Sequence, residues 1–133
     1  RLLVRILDFP AITVAAVNGH AFAAGAMLAT AHDIVIMRED RGFWCLPEVD
    51  LGLPLTPTMF EVVAAHLPTA TLRESSLTGR RYPGSDALSA GIVHELASED
   101  SVVTRALERA LELAQKDRQV IREHKRMMRQ GAG

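Results

Sequence analysis

Short apolar runs alternate with helical patterns along the first 96 residues, and only helical patterns follow them. Short runs rich in β-branched residues predict buried strands. Apolar residues that recur every three or four positions predict amphipathic helices. The predicted strands lie at 12–17, 33–37, 43–46 and 92–96, and the predicted helices at 2–8, 23–31, 58–66, 69–77, 85–90, from 101 onward and 119–129. This order predicts an α/β core followed by a helical tail.

Local signals set the ends of these predicted elements. Ser85 is a candidate N-cap and Gly91 a candidate stop for the helix between them. Segment 47–57 has three prolines and one glycine among Leu and Val, which favours an ordered loop. Ser101 is expected to cap a long helix. The apolar stripe of that helix is Val103, Ala106, Leu107, Ala110, Leu111 and Ala114.

Composition narrows the class of protein. The chain has 133 residues, 48% of them apolar, and a net charge of −1. We therefore expect one globular domain that binds neither nucleic acid nor a membrane. The single cysteine, Cys45, excludes an intrachain disulfide and a Cys-based zinc site. Because the chain begins without Met and on an amphipathic pattern, we expect it to be a piece of something longer.

A turn of small residues at 18–25, Asn-Gly-His-Ala-Phe-Ala-Ala-Gly, joins the first predicted strand to a helix. The first amides of a helix have no internal acceptor and lie at the positive end of its dipole, so such a turn can stabilise a developing oxyanion. Small side chains at Ala23, Ala24 and Gly25 would let a ligand reach those amides. The same residues also suit close packing of helix on strand, and the pattern alone favours packing.

Glu48 is the second candidate, because it lies between Leu46 and Val49 in a Pro-bounded segment. A carboxylate in apolar surroundings tends to keep its proton near neutrality, which suits proton transfer. The alternative is a solvated loop acid or a helix cap, and local sequence alone favours that alternative. Asp50 would point the same way as Glu48 in an extended segment, and we interpret it as structural.

The other polar residues give weaker signals. His20 is expected to bond the backbone of its turn, and the histidine spacings predict no metal site. Tyr82, which follows two arginines, is expected at the surface. The last helix is basic. Its charges could bind a phosphate group of a ligand or form a solvated face, and the pattern favours the solvated face. Its basic residues are Arg118, Arg122, Lys125, Arg126 and Arg129.

Several segments, taken together, resemble the crotonase (enoyl-CoA hydratase/isomerase) superfamily. The segment 9–25 is similar to the family's Pro, short strand and Asn-Gly-His-Ala turn before a small-residue helix. The strand at 33–37 follows in the same order, and 47–52 resembles the family's Pro-Glu-x-x-x-Gly loop. The Leu-Thr-Gly at 77–79 and the Ala-to-Val stretch at 87–93 complete the match, which covers nearly the whole chain.

The resemblance implies an α/β, crotonase-like (ClpP/crotonase) spiral of β-β-α units, truncated at its N-terminus. Residues 1–96 would be the C-terminal portion of that core, and 97–133 helices that serve assembly into a homotrimer or hexamer. The implied substrates are acyl-CoA thioesters of fatty acid metabolism, with coenzyme A part of the substrate and no permanently bound cofactor. From composition, we expect the compartment to be the cytoplasm of a bacterium, or a peroxisome or mitochondrion of a eukaryote.

The resemblance also implies roles for single residues. Glu48 would transfer protons, and the backbone N–H of Ala24 would be one oxyanion donor. Substrate contacts would come from Ala23, Gly25, Met27 and Leu51, and the apolar segment 51–60 hints at the lining of an acyl pocket.

Met27 departs from the family pattern, because hydratases have a second glutamate there. A single base fits Δ3,Δ2-enoyl-CoA isomerisation, in which one carboxylate removes a proton from C2 and returns it at C4. The Met-Arg-x-Asp-Arg-Gly stretch at 37–42 also looks like plant-type peroxisomal isomerases. Two alternatives stay open: an enoyl-CoA hydratase-like enzyme, and an inactive acyl-CoA-binding or assembly module.

Overall fold

The computed structural model describes residues 2–132, with side chains as far as residue 129. After a short helix, α1 (Leu2–Leu7), two β-β-α units follow one another. They consist of β1 (Val14–Val17), β2 (Ala21–Phe22) and α2 (Ala24–Thr30), then β3 (Ile34–Arg38), β4 (Phe43–Cys45) and α3 (Glu48–Leu51). The remaining elements are α4 (Pro57–His66), α5 (Thr69–Thr78), β5 (Tyr82–Pro83), α6 (Gly84–Ser89), β6 (Glu95–Ala97), α7 (Val102–Leu113) and α8 (Arg118–Ala132).

Each β-β-α unit gives one strand to each of two sheets. The first sheet has the order β1-β3-β6 and is parallel throughout, with Val14 opposite Ile34. In the second sheet, β2 pairs in parallel with β4, and β5 adds in antiparallel. Because successive units lie side by side in the same direction, the chain advances as a spiral. The predicted α/β class is confirmed.

The turns of the two units pack against each other. Gly42, in the β3–β4 turn, has a φ of +99°, and a Cβ placed there would lie 2.4 Å from the carbonyl oxygen of Gly19 in the β1–β2 turn. Only glycine meets both conditions without backbone movement. The backbones of the two turns therefore lie in direct contact.

The main core joins residues of both sheets to helices α2, α4 and α6. Trp44 and Met27 are fully buried there, and the indole N–H of Trp44 donates to Thr30 Oγ1 at 3.0 Å. A second, smaller cluster joins α7 to the first sheet through Val102, Ala106 and Ile36. The division predicted after residue 96 therefore falls inside β6, and α7 packs on the core sheet. Arg1 and Gly133, the outer limits of the two predicted parts, lie outside the described residues.

The prediction of a surface position for Tyr82 is wrong. Its side chain is fully buried, packs edge-on against Trp44, and donates its hydroxyl hydrogen to Glu74 Oε1 at 2.6 Å. Burial, and then the hydrogen bond to Glu74, raise the pKa of the Tyr82 phenol. Strand alternation explains the error, since β5 turns Tyr82 inward while its neighbour Arg81 points outward.

Several predicted element details also need correction. The loop predicted at 47–57 contains the helix α3, and α6 begins at Gly84, with Pro83 rather than Ser85 at the N-cap. Ser101 occupies the N-cap of α7, but its side chain caps no helix amide and bonds Ser98 instead. The buried residues of α7 are Val102 and Ala106, whereas three members of the predicted stripe are exposed: Val103, Leu107 and Leu111.

The basic side chains of helix α8 lie in two kinds of environment, one exposed and one in contact with the rest of the protein. Arg122 and Arg126 are exposed, as predicted for a solvated face. Lys125 is buried and donates to the carbonyl oxygens of Phe9 and Ala11, while Arg129 pairs with Asp8 and Glu61. The solvated-face prediction is therefore wrong for Lys125, because its charge joins α8 to the start of the chain.

Candidate functional site

The small-residue turn ends in an exposed helix start. Ala23, the N-cap of α2, adopts a φ of +50°, which is unusual for a residue other than glycine. Its own amide donates to the carbonyl oxygen of Cys45 at 3.2 Å, and the first amide bonded back to Ala23 is that of Met27 at 3.0 Å. The amides of Ala24 and Gly25 therefore belong to the first turn, where a helix offers no internal acceptor. Both residues are exposed.

Glu48 is the first residue of α3. Pro47 occupies the N-cap, and Gly52 ends the helix with a left-handed φ of +72°. Glu48 is half-buried, and its Oε1 atom is buried without a hydrogen-bond partner among the described residues. A buried acceptor left in this way is costly in a folded protein, so it points to a group that acts on a ligand.

Parallel strand pairing brings these two helix starts to the same edge of the second sheet. Strands β2 and β4 end at Phe22 and Cys45, which lie opposite each other. Ala24 follows two residues after Phe22, and Glu48 three residues after Cys45. An amide-rich turn and a carboxylate thus emerge from neighbouring strand ends, an arrangement that suits a ligand carrying both an oxygen and an acidic C–H.

A pocket of about 460 Å³ opens beside Glu48. Apart from Glu48, Gly52 and Ser76, every described residue that lines it is apolar. These apolar residues are Val49, Leu53, Pro54, Leu55, Phe60 and Leu77. Glu48 is the only ionisable residue among the described residues of this lining, so the pocket fits an apolar occupant whose reactive end reaches the carboxylate.

Asp50 points away from Glu48. Because the segment is helical and not extended, residues two apart diverge by more than half a turn. The Asp50 carboxylate lies over Gly79, where an added Cβ would come within 2.6 Å of Oδ2. Asp50 does not line the pocket, which agrees with the structural role predicted for it.

The other residues predicted to contact substrate are not brought to this pocket. Met27 is fully buried in the main core, and Leu51 is 63% exposed but does not line the pocket. Gly25 lines a separate cavity of about 430 Å³ along β1 and α2. Ala23 remains at the turn itself. Their predicted contacts with substrate stay predictions.

Two pocket residues on α5, Ser76 and Leu77, were not among the predicted site residues. Leu77 is an apolar residue on the exposed side of a largely polar helix, and Ser76 donates its hydroxyl hydrogen to the carbonyl oxygen of Leu72 at 2.6 Å. An exposed leucine beside an apolar connecting segment is the only local clue, and it cannot be recognised before the helices are placed.

Cys45, the last residue of β4, is a neutral thiol. It is buried and contacts the carbonyl oxygen of Gly79 at 3.3 Å. Burial raises the pKa of this thiol, and the nearby carboxylates of Asp50 and Glu48 add to the effect. Since the thiolate is the reactive form, Cys45 is a packing residue and not a competing nucleophile.

His20 holds the turn in place. Its Nδ1 accepts the backbone N–H of Phe43 at 3.1 Å, and its ring stacks on that of Phe43, with ring centroids 5.7 Å apart. His20 bonds the backbone, as predicted, but it does so at Phe43, the first residue of β4, and not within its own turn. In the part of the chain that the structure describes, no three His, Cys, Asp or Glu side chains come together as metal ligands. None of the helices between residues 2 and 132 combines the length and apolar content that crossing a bilayer requires.

Comparisons with known proteins match the chain to one family. The family model described as enoyl-CoA hydratase/isomerase matches residues 1–132. The chain is 43% identical over 114 residues to the peroxisomal enoyl-CoA delta isomerase 2 of Arabidopsis thaliana, a match that covers 84% of this chain and 48% of the relative. It is 36% identical over 111 residues to a carnitinyl-CoA dehydratase of Salmonella typhi, covering 84% of this chain and 42% of the relative.

Solved structures give the same result for the fold. The crystal structure of an enoyl-CoA hydratase from Mycobacterium marinum superposes with a TM-score of 0.90 at 28% identity, covering 98% of this chain and 58% of that one. The predicted crotonase-like fold is therefore confirmed. The chain spans about half the length of the curated relatives it matches.

Proposed function

Because this chain belongs to the enoyl-CoA hydratase/isomerase family, we propose that its protein is a Δ3,Δ2-enoyl-CoA isomerase in which Glu48 moves the proton. The observation that supports this most is the buried, unpartnered Oε1 of Glu48 at the wall of an apolar pocket. Identities of 43% and 41% to two enoyl-CoA delta isomerases of Arabidopsis thaliana support the same reaction.

In the proposed mechanism, the Glu48 carboxylate removes a proton from C2 of a 3-enoyl thioester. The electrons move into the thioester carbonyl, and the resulting enolate oxygen accepts a hydrogen bond from the amide of Ala24. Glu48 then returns the proton at C4, which leaves the double bond between C2 and C3. One acid–base group suffices because the proton is only moved, and no water has to be activated.

Met27 supports isomerisation over water addition. Hydration needs a group that positions and activates water, and a buried thioether cannot do this. Among the described residues that line the pocket, no second acid is present. The similarity to a carnitinyl-CoA dehydratase supports hydratase-type chemistry as the second candidate function.

The test offers the protein a 3-enoyl-CoA and, separately, a 2-enoyl-CoA in water. We expect the 3-enoyl thioester to be converted to the 2-enoyl product, whose absorbance is measured over time. We expect no 3-hydroxyacyl-CoA to form from the 2-enoyl-CoA. Faster hydration than isomerisation would reject the proposal in favour of the hydratase alternative, and the absence of both would favour the binding-module alternative.

Self-association through the C-terminal helices belongs to the same proposal. Val103, Leu107 and Leu111 recur at helical spacing on α7, and all three are exposed. An apolar stripe of this kind suits contact with further copies of the chain. The compartment also stays a prediction, although the Arabidopsis relative is named as peroxisomal.

A further inference from the structure

The walls of the pocket beside Glu48 are mostly apolar and suit a hydrocarbon group. Besides Glu48, Ser76 is the only residue with a polar side chain among the described residues that line the pocket, and its hydroxyl hydrogen is donated to the carbonyl oxygen of Leu72. No lysine or arginine is among the described residues that line it. The pocket therefore suits neither the phosphates of coenzyme A nor a charged acyl group, and it suits an apolar tail.

Phe60 is the only aromatic residue among the described residues of this lining, and the backbone beneath it is well held. Thr56 caps α4 by accepting the amide of Met59 at 3.2 Å, and the amide of Phe60 donates to the carbonyl oxygen of Thr56 at 2.9 Å. Val62 and Val63, two and three residues further along α4, are completely buried and anchor the helix in the core. The Phe60 ring is thus presented to the pocket on a fixed backbone.

The ring is also incompletely covered, which leaves surface for a ligand. Phe60 is 45% exposed, and Leu53 and Leu77 in the same wall are more exposed still. Apolar surface that gathers around a buried, unpartnered carboxylate gains from contact with a hydrocarbon chain. If an acyl chain binds in the pocket with its C2 at Glu48, the rest of the chain must run along this wall.

We propose that Phe60 is the specificity-determining residue that makes this protein prefer thioesters with long, apolar acyl tails. The inference rests on the proposed function for the identity of the ligand, and it deepens that function by naming the residue that contacts the tail and sets the preference for its length. Phe60 acts by contact with the tail and takes no part in proton transfer.

The experiment measures the dissociation constants of saturated acyl-CoA thioesters from four to fourteen carbons by calorimetry. Saturated thioesters cannot be isomerised, so binding is read without turnover. The protein should gain up to about fourfold in affinity per methylene while the tail covers the wall. Phe60→Ala should flatten this series, with a loss of about tenfold for the longest tails and less than about twofold for the shortest. Phe60→Leu, which keeps an apolar side chain, should restore most of the gradient.

Phe9→Ala is the matched control, because Phe9 is 48% exposed and does not line this pocket. It should leave the gradient unchanged. The role of Phe60 would be overturned if Phe60→Ala lowered the affinity for short and long tails equally. It would also be overturned if Phe9→Ala flattened the gradient as Phe60→Ala does. Failure to bind any acyl-CoA would overturn both this subsite and the proposed substrate class. A normal gradient without isomerase activity would keep the subsite and reject only the proposed reaction.

Discussion

Lys125 is a buried cation that joins the last helix to the beginning of the chain. Its side chain is 9% exposed, and its Nζ lies 2.7 Å from Asp33 Oδ2, 2.7 Å from the carbonyl oxygen of Phe9 and 2.8 Å from that of Ala11. Replacement by Met keeps most of the volume and removes all three bonds. We therefore expect Lys125→Met to destabilise the protein by loosening α8.

The size of the destabilisation depends on the interactions that Asp33 keeps after Lys125 is replaced. Removing one partner of a buried ion pair costs about 3 to 5 kcal/mol. Here Asp33 is 25% exposed and still accepts the amide and the hydroxyl hydrogen of Thr13, at 2.8 and 3.2 Å. A value below this range, about 2 to 3 kcal/mol, is therefore the better estimate. With an unfolding entropy of about 2.1 cal/mol/K per residue, the midpoint of thermal unfolding should fall by about 7 to 11 °C for a chain of 133 residues.

The measurement is thermal unfolding followed by circular dichroism, together with limited proteolysis of α8. The chain offers a matched control in Lys116, which is exposed, so Lys116→Met should change the midpoint by no more than about 2 °C. If both variants unfold at the same temperature, Lys125 does not hold α8 in place and the interpretation of this helix is wrong.

Two further predictions concern buried polar groups. Thr30→Val leaves the indole N–H of Trp44 without its acceptor, so urea unfolding should show a loss of about 1 to 3 kcal/mol, whereas Thr30→Ser should retain most of the stability; equal stability of the two variants would contradict the role of this bond. Burial lowers the pKa of His94, whose Nδ1 accepts the amide of Val35 at 2.9 Å, below its ordinary value of 6.5. The unfolded chain then binds the proton more readily, so this contribution is complete above pH 6.5 and is lost as the pH falls below it. The free energy of unfolding should be lower at pH 5.5 than at pH 7.5, and His94→Asn should reduce that difference; an unchanged difference would assign it to other groups.

The sequence predicted the elements that have a repeating pattern. The β-branched run before Asn18 and the strand before Arg38 are long enough to show apolar periodicity, and both are present as β1 and β3. The two-residue strands β2 and β5 were not predicted, because two residues cannot establish a period of two. Tyr82 was misplaced for the same reason.

The helix α3 was missed although its ends are marked. Pro47 at the N-cap and Gly52 in the left-handed conformation follow the preference for proline before and glycine after a helix. The helix has four residues, which is too short for an apolar face, so the proline count of the segment suggested a loop. This error mattered for the site, because helical geometry is what separates Asp50 from Glu48.

The candidate site was predictable as single residues and not as a pocket. Glu48 and Ala24 were found from their local sequence together with the family resemblance. Ser76 and Leu77 reach the pocket from α5, far along the chain, and only tertiary packing brings them there. Met27, also predicted as a substrate contact, is fully buried in the main core, and its contact with substrate stays a prediction.

The most direct test of the account is the isomerisation rate of Glu48→Gln, with Asp50→Asn as the matched control two residues away. Both changes replace a carboxylate by an amide of nearly the same shape, and only Glu48 lines the pocket. We predict that Glu48→Gln lowers kcat for a 3-enoyl-CoA by about 100-fold to 10,000-fold. Binding of a saturated acyl-CoA should be kept, and Asp50→Asn should lower kcat by less than about threefold. A Glu48→Gln protein that isomerises at the wild-type rate would contradict the assignment of Glu48 as the base.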